Sequence, residues 1–167
     1  MAYKNQNVSE PNRYQDGGGS RGRMDGLRWM TDYYAPDDFD PDEISWVTPD
    51  VAVTDWEGGV EAKEQGHFVI CVAGEMPDMG HVYIPVEPHF GPDETLTTLD
   101  RIADLTHWVV TNTEKKVVVH CAMGMERSVL SVVWYLHQYE EMTLDEAYDT
   151  VGVARPIAAD RRYWIGM

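Results

Sequence analysis

Residues 117–130 read VVVHCAMGMERSVL. A β-branched run closes on His120 and Cys121, five residues follow (Ala122, Met123, Gly124, Met125, Glu126), and Arg127 and Ser128 open a second apolar stretch. A loop that joins a strand to a helix turns several backbone N–H groups into one concavity, and the helix N-terminus adds partial positive charge. Such a loop is a cradle for an oxyanion. Gly124 at its apex permits backbone angles that a side chain would forbid. Arg127, in the first helical turn, has the planar fork that grips two phosphate oxygens at once. The same field acts on Cys121: beside an arginine at a helix N-terminus, a thiol pKa falls from about 8.5 to roughly 3.5–7.5. A thiolate beneath a bound phosphoryl group is a nucleophile aimed at phosphorus. Ser128 is placed to stabilise that sulfur when it departs, and His120 to orient the cysteine backbone from behind.

The elements that must hold this loop follow from periodicity. ISWVTPDVAVTDW predicts two short strands around a Thr-Pro-Asp turn. HFVICVAG (67–74) and HVYIPV (81–86) are continuous apolar runs of buried-strand type. Gly91-Pro92 introduces a helix over 93–111 with Leu99, Ile102, Ala103, Thr106 and Val110 on one face; Pro92 and the carboxylates of Asp93 and Glu94 suit its first turn. Residues 116–120 are predicted as a strand and 128–139 as a helix with Val129, Val132, Val133 and Leu136 inward. Thr143 and Glu146 form a capping box for a helix over 144–151, ended by Gly152 and the ARP that follows. DRRYWIGM adds a short terminal turn. The order predicts an α/β layered domain with a mostly parallel central sheet flanked by helices. Residues 1–25, with DGGGSRGR, read as a polar, glycine-rich tail whose Arg21 and Arg23, with Arg28 just beyond, could reach a ligand; 26–167 read as the domain. GLRWMTDYYAP reads as a short helix or an apolar clip, and DDFDPDE as a solvated acidic loop rather than a metal site.

His-Cys-x5-Arg-Ser, in its strand-loop-helix setting, resembles the signature of the cysteine-based protein tyrosine phosphatase superfamily. The dual-specificity branch is similar in length and layout, from ISWV to ARP, with HVYIPV, the 92–112 helix and WYLHQYEEMTLDEAY in the family's order. The resemblance implies a compact phosphatase fold, Cys121 as nucleophile, Arg127 and the amides of Ala122 to Arg127 as the phosphate cradle, and no metal or organic cofactor. It also implies an aspartate general acid soon after HVYIPV. Here the text is PVEPHFGPDE, and Pro88 stands where that aspartate is expected. Glu126 is the favoured replacement, because myotubularin-like lipid phosphatases carry an acidic residue at that place in the loop. A structural salt bridge is its equally weighted alternative. Glu87, His89 and Asp93 are the other candidates for the proton donor.

Met123 and Met125 read as an apolar rim, and the loop lacks the lysines with which tensin-like phosphatases meet extra phosphates. A phosphotyrosine ring fits such a rim, and the shallow cleft expected of this branch also admits phosphoserine and phosphothreonine on proteins. The net charge of −16, with lysine confined to Lys4, Lys63, Lys115 and Lys116, excludes nucleic acid and anionic membranes as natural partners. No apolar run reaches the length of a membrane span, no leader pattern opens the chain, and two cysteines make no disulfide framework. The expectation is a soluble protein of a reducing, cytoplasmic compartment. Cys71, inside an apolar run, reads as core. The rival readings are a pseudophosphatase that binds phosphorylated partners without turnover, a phosphatase acting on a non-protein phosphate, and a rhodanese-type sulfurtransferase.

Overall fold

The structure is a computed structural model that describes residues 39–167. The tail expected over 1–25, the GLRWMTDYYAP clip and Arg21, Arg23 and Arg28 lie outside the described residues. The fold occupies Pro41–Met167. Its elements are β1 (Ser45–Trp46), β2 (Val51–Thr54), α1 (Trp56–Glu64), β3 (Phe68–Cys71), β4 (Val82–Tyr83), a 3-10 turn at Pro88–Phe90, α2 (Pro92–Asn112), β5 (Val117–His120), α3 (Arg127–Tyr139), α4 (Leu144–Ala154) and a 3-10 turn at Arg162–Ile165. Five strands form one sheet in the order β1-β2-β5-β3-β4. Only β1 runs antiparallel, to β2; the β2–β5, β5–β3 and β3–β4 pairs are parallel. The expected mostly parallel sheet flanked by helices is therefore present.

Strand parity divides the core. Val51, Val53, Ile70, Val117 and Val119 face the large cluster built with Leu99 and Ile102 of α2, Val129, Val132, Val133 and Leu136 of α3, and Ala147 and Val151 of α4. Ala52, Val69 and Val118 face the other way, onto Ala62 of α1. A sheet covered on both faces explains why these strands read as unbroken apolar runs instead of alternating ones. Every buried aliphatic residue on the larger face contributes about 1.5–3 kcal/mol by leaving water, so this face sets most of the rigidity of β5 and α3, the two elements that carry the loop.

Helix α1 escaped the sequence reading. Asp55 caps it by accepting the Gly58 N–H at 2.9 Å, but Gly58 and Gly59 read as breakers. They are there for contact. A Cβ on Gly59 would lie 2.6 Å from Cδ2 of His120, and one on Gly58 would collide with Thr54. The helix thus lies close against the ends of β2 and β5. At the other end of the chain, Gly152 sits inside α4 and does not stop it; the helix runs to Ala154, and the chain leaves it at Arg155, whose side chain is wholly buried. The capping box at Thr143 and Glu146 forms as expected. Among the described residues no helix is long and apolar enough to cross a membrane.

Candidate active site

The loop from Cys121 to Glu126 leaves the C-terminal end of β5, the central strand, between Thr54 of β2 and Cys71 of β3, which both pair with His120. The carboxyl ends of parallel strands are where such sheets leave a crevice. What makes this loop a cradle is the fate of its carbonyls. That of Cys121 lies 3.1 Å from His120 Nδ1. Ala122's accepts the Trp56 N–H at 3.3 Å, Met125's the Ala159 N–H at 2.9 Å and Glu126's the Leu130 N–H at 2.9 Å. Met123 and Gly124 offer theirs to the guanidinium of Arg155, at 3.4 and 2.6 Å. Each of these carbonyls is held from outside the loop. Because a trans peptide sets C=O and N–H in opposite directions, the amides are left turned inward. Gly124, at φ +70°, makes the reversal, and its own N–H meets Cys121 Sγ at 3.3 Å.

Cys121 is buried, 2% exposed, with Sγ 3.2 Å from Ser128 Oγ. Burial pushes its pKa up, but the Arg127 charge, the Ser128 hydroxyl and amide and the Gly124 amide outweigh it, and the thiol titrates below its ordinary value. His120 is fully buried. Its Nδ1 carries the proton donated to the Cys121 carbonyl, and Nε2, facing α1, has no hydrogen-bond partner among the described residues. Burial lowers its pKa, against the opposing effect of the hydrogen bond to the Cys121 carbonyl. Cys71 is core, as expected, its thiol raised chiefly by burial.

Arg127 does not wait empty. Its Nη1 and Nη2 hold the two carboxylate oxygens of Glu75 at 2.7 and 2.9 Å. Glu75 comes from the loop between β3 and β4, where no sequence pattern marked it. Arg127 in turn holds the Glu75 carboxyl below the usual carboxylate range, by hydrogen bonding first, against the opposing effect of burial. A bidentate carboxylate stands in the geometry that a phosphoryl group would need.

The candidate proton donors fare differently. Glu126 stands just before α3 without capping it through its side chain, and its Oε2 is bound by Arg161 through Nε at 2.9 Å and Nη2 at 2.8 Å, which is the salt bridge weighed as its alternative role. Glu87 has no ion-pair or hydrogen-bond partner for its carboxylate among the described residues; a Cβ on Gly74, the neighbour of Glu75, would lie 3.0 Å from its Oε2. His89 is exposed, its ring 4.3 Å from that of Phe90 in the Pro88–Phe90 turn. Asp93 is exposed in the first turn of α2, the place expected for a helix-start carboxylate. Ala122 and Met123 are partly exposed, but Met125 is 5% exposed and buried. Of the two methionines expected at the rim, only Met123 is partly exposed; Met125 is buried.

Behind the loop, one carboxylate oxygen each from Asp42, Asp55 and Glu57 lie within 4.8 Å of one another. Burial, and then a hydrogen bond with Asp42, raise Asp55 to about 8. Asp42 belongs to the loop read as solvated.

Comparison with known proteins agrees with this geometry. The family described as "Dual specificity phosphatase, catalytic domain" matches residues 63–166. Human dual specificity protein phosphatase 26 is 34% identical over 86 residues, which cover 51% of this chain and 41% of that protein. The match therefore spans less than half of that relative's length. Among solved structures, a mouse putative dual specificity phosphatase complexed with zinc tungstate superposes with a TM-score of 0.62 at 19% identity, over 78% of this chain and 86% of that one. Human DUSP28 superposes with a TM-score of 0.60 at 18% identity, over 78% and 91%. These two likenesses concern the fold.

Proposed function

The chain belongs to the dual specificity phosphatase family, and on that premise we propose that it hydrolyses phosphomonoesters on proteins, phosphotyrosine and also phosphoserine and phosphothreonine, through a phosphocysteine on Cys121. The observation that carries this reading is the sulfur of Cys121, titrating below its ordinary value between the Gly124 amide, the Ser128 hydroxyl and the charge of Arg127. The phosphoryl group displaces Glu75 from Arg127 and takes the inward amides of residues 122–127. The thiolate attacks phosphorus, the S–P bond forms and the P–O bond to the carrier breaks. Water then attacks phosphorus, giving its proton to the carboxylate that protonated the carrier oxygen, the S–P bond breaks, phosphate leaves, and the Ser128 hydroxyl supports the returning thiolate.

The carrier oxygen leaves with a proton. We assign that proton to Glu87 ahead of Glu126. The Glu126 carboxylate is already engaged by Arg161, whereas that of Glu87 has no partner among the described residues and lies against Gly74 next to the Arg127–Glu75 pair. Glu126 keeps the role only where substrate releases it from Arg161. Cys121 works as a free thiolate, so a reducing, cytoplasmic compartment fits the chemistry.

The test uses a phosphotyrosyl and a phosphoseryl peptide with the full chain and its C121S variant. C121S is expected to abolish turnover while still binding phosphate, and orthovanadate to inhibit the unmodified protein competitively. Turnover that survives C121S ends the reading. Phosphopeptide bound by the unmodified protein, with neither phosphate nor dephosphorylated peptide released, replaces it with a phosphopeptide-binding module.

A further inference from the structure

Arg155 is the largest fully buried side chain in the described protein, at 0% exposure. An arginine is almost never wholly buried unless its donors are used. Here they are. Nε donates to the Gly124 carbonyl at 2.6 Å and Nη2 to the Met123 carbonyl at 3.4 Å. On its far side Nη2 reaches the Pro41 carbonyl at 2.7 Å, and Nη1 reaches the Glu43 carbonyl and Ser45 Oγ, both at 3.0 Å. The planar fork thus ties two consecutive loop carbonyls to the 41–45 segment.

We propose that Arg155 is a positioning residue for the anion cradle: it turns the Met123–Gly124 and Gly124–Met125 peptides so that their N–H groups face the sulfur and the phosphoryl site. The proposal deepens the function assigned above and rests on that reading of the loop. Its logic is local. The peptide whose carbonyl Arg155 holds at Met123 is the same peptide whose N–H meets Cys121 Sγ at 3.3 Å. The next peptide, held through the Gly124 carbonyl, aims the Met125 N–H the same way. A positive charge that never touches substrate therefore orients two dipoles that do. It does so at the apex, where glycine at φ +70° offers no side chain to resist a flip of either peptide. The other loop carbonyls are held by backbone N–H groups or by His120, so the apex depends on this one side chain. A Cβ on Gly124 would collide with Arg155, which shows how closely the two pack.

The experiment compares the full chain with R155K and R155M, each first checked for a cooperative thermal transition. The rate of Cys121 alkylation by iodoacetamide is followed against pH, with C71S as background, and inorganic phosphate is titrated as a protectant. With the fork gone, the alkylation profile of R155M is expected to move at least one pH unit toward alkaline, and the protecting phosphate concentration to rise at least tenfold. R155K keeps charge and stem but cannot span both carbonyls, and is expected to recover part of each loss. Where R155M does not fold, R155K is read alone, with shifts of at least half a pH unit and threefold expected. A folded variant whose alkylation profile and phosphate protection stay within twofold of the parent overturns the proposal. Neither readout needs turnover, so a parent protein that binds phosphate at an acidic thiol but hydrolyses nothing would refute the proposed function and leave the role of Arg155 decided on its own evidence.

Discussion

Replacing Glu75 by glutamine should tighten phosphate binding. Glu75 and Arg127 form a bidentate pair at 2.7 and 2.9 Å, with side chains 53% and 22% exposed. An incoming phosphoryl group needs the same two guanidinium edges, so binding includes the cost of breaking this pair. At that exposure the pair is screened, and the upper end of the range for surface ion pairs, about 1 kcal/mol, is the appropriate size. That converts to a factor of about five in an equilibrium constant. The assay is the inorganic phosphate concentration that halves the rate of Cys121 alkylation at pH 6.5 and low ionic strength; its midpoint is expected to be about fivefold lower in E75Q. The carboxyl of Glu75 titrates below its ordinary value, so the advantage holds throughout the neutral range and fades only in acid, where the parent's own carboxylate is protonated. Added salt should shrink it as well. An unchanged or higher midpoint in E75Q would refute the reasoning, because it would mean that Glu75 prepares the guanidinium for substrate instead of occupying it.

Other outcomes follow from the same geometry. With an alkyl phosphate, whose leaving oxygen needs protonation, E87Q should lower turnover by at least tenfold and E126Q by less; the reverse order would return the donor's role to Glu126. Asp55, raised to about 8 chiefly by burial, binds a proton in the folded protein that the unfolded chain has lost above about pH 4. Its contribution to stability therefore declines as pH rises from there to about 8, by up to about 1.4 kcal/mol per pH unit. D55N, which keeps an N-cap acceptor, should flatten the urea-midpoint profile between pH 5 and 8, and parallel curves for the two proteins would contradict this. G59A should lower stability by about 1–3 kcal/mol by overpacking against the His120 ring, read as a fall in urea midpoint at constant slope; an unchanged midpoint would show that the helix can lift away.

The strand, loop and α3 helix were legible because each is local: a β-branched run, one glycine, and an apolar face at helical spacing. So were the capping box and the start of α2. What stayed hidden depends on groups brought together from afar. Glu75 meets Arg127 across 52 residues of sequence. Arg155 meets Gly124 across 31, and follows a helix end that Gly152 had marked too early. In α1 two glycines that serve close packing against Thr54 and His120 mimic a turn. Glu126 illustrates the limit at a single residue. Its place in the loop was visible, but its partner Arg161, 35 residues on, was not.

The bare Nε2 of His120 is pressed against Gly59 of α1. A second proton on that ring would need a hydrogen-bond acceptor, and Nε2 has none among the described residues. Burial thus lowers the proton affinity of the imidazole beside the nucleophile from an intrinsic value that lies in the working range. The histidine that precedes the sulfur in the chain serves as a strut, its Nδ1 donating to the Cys121 carbonyl.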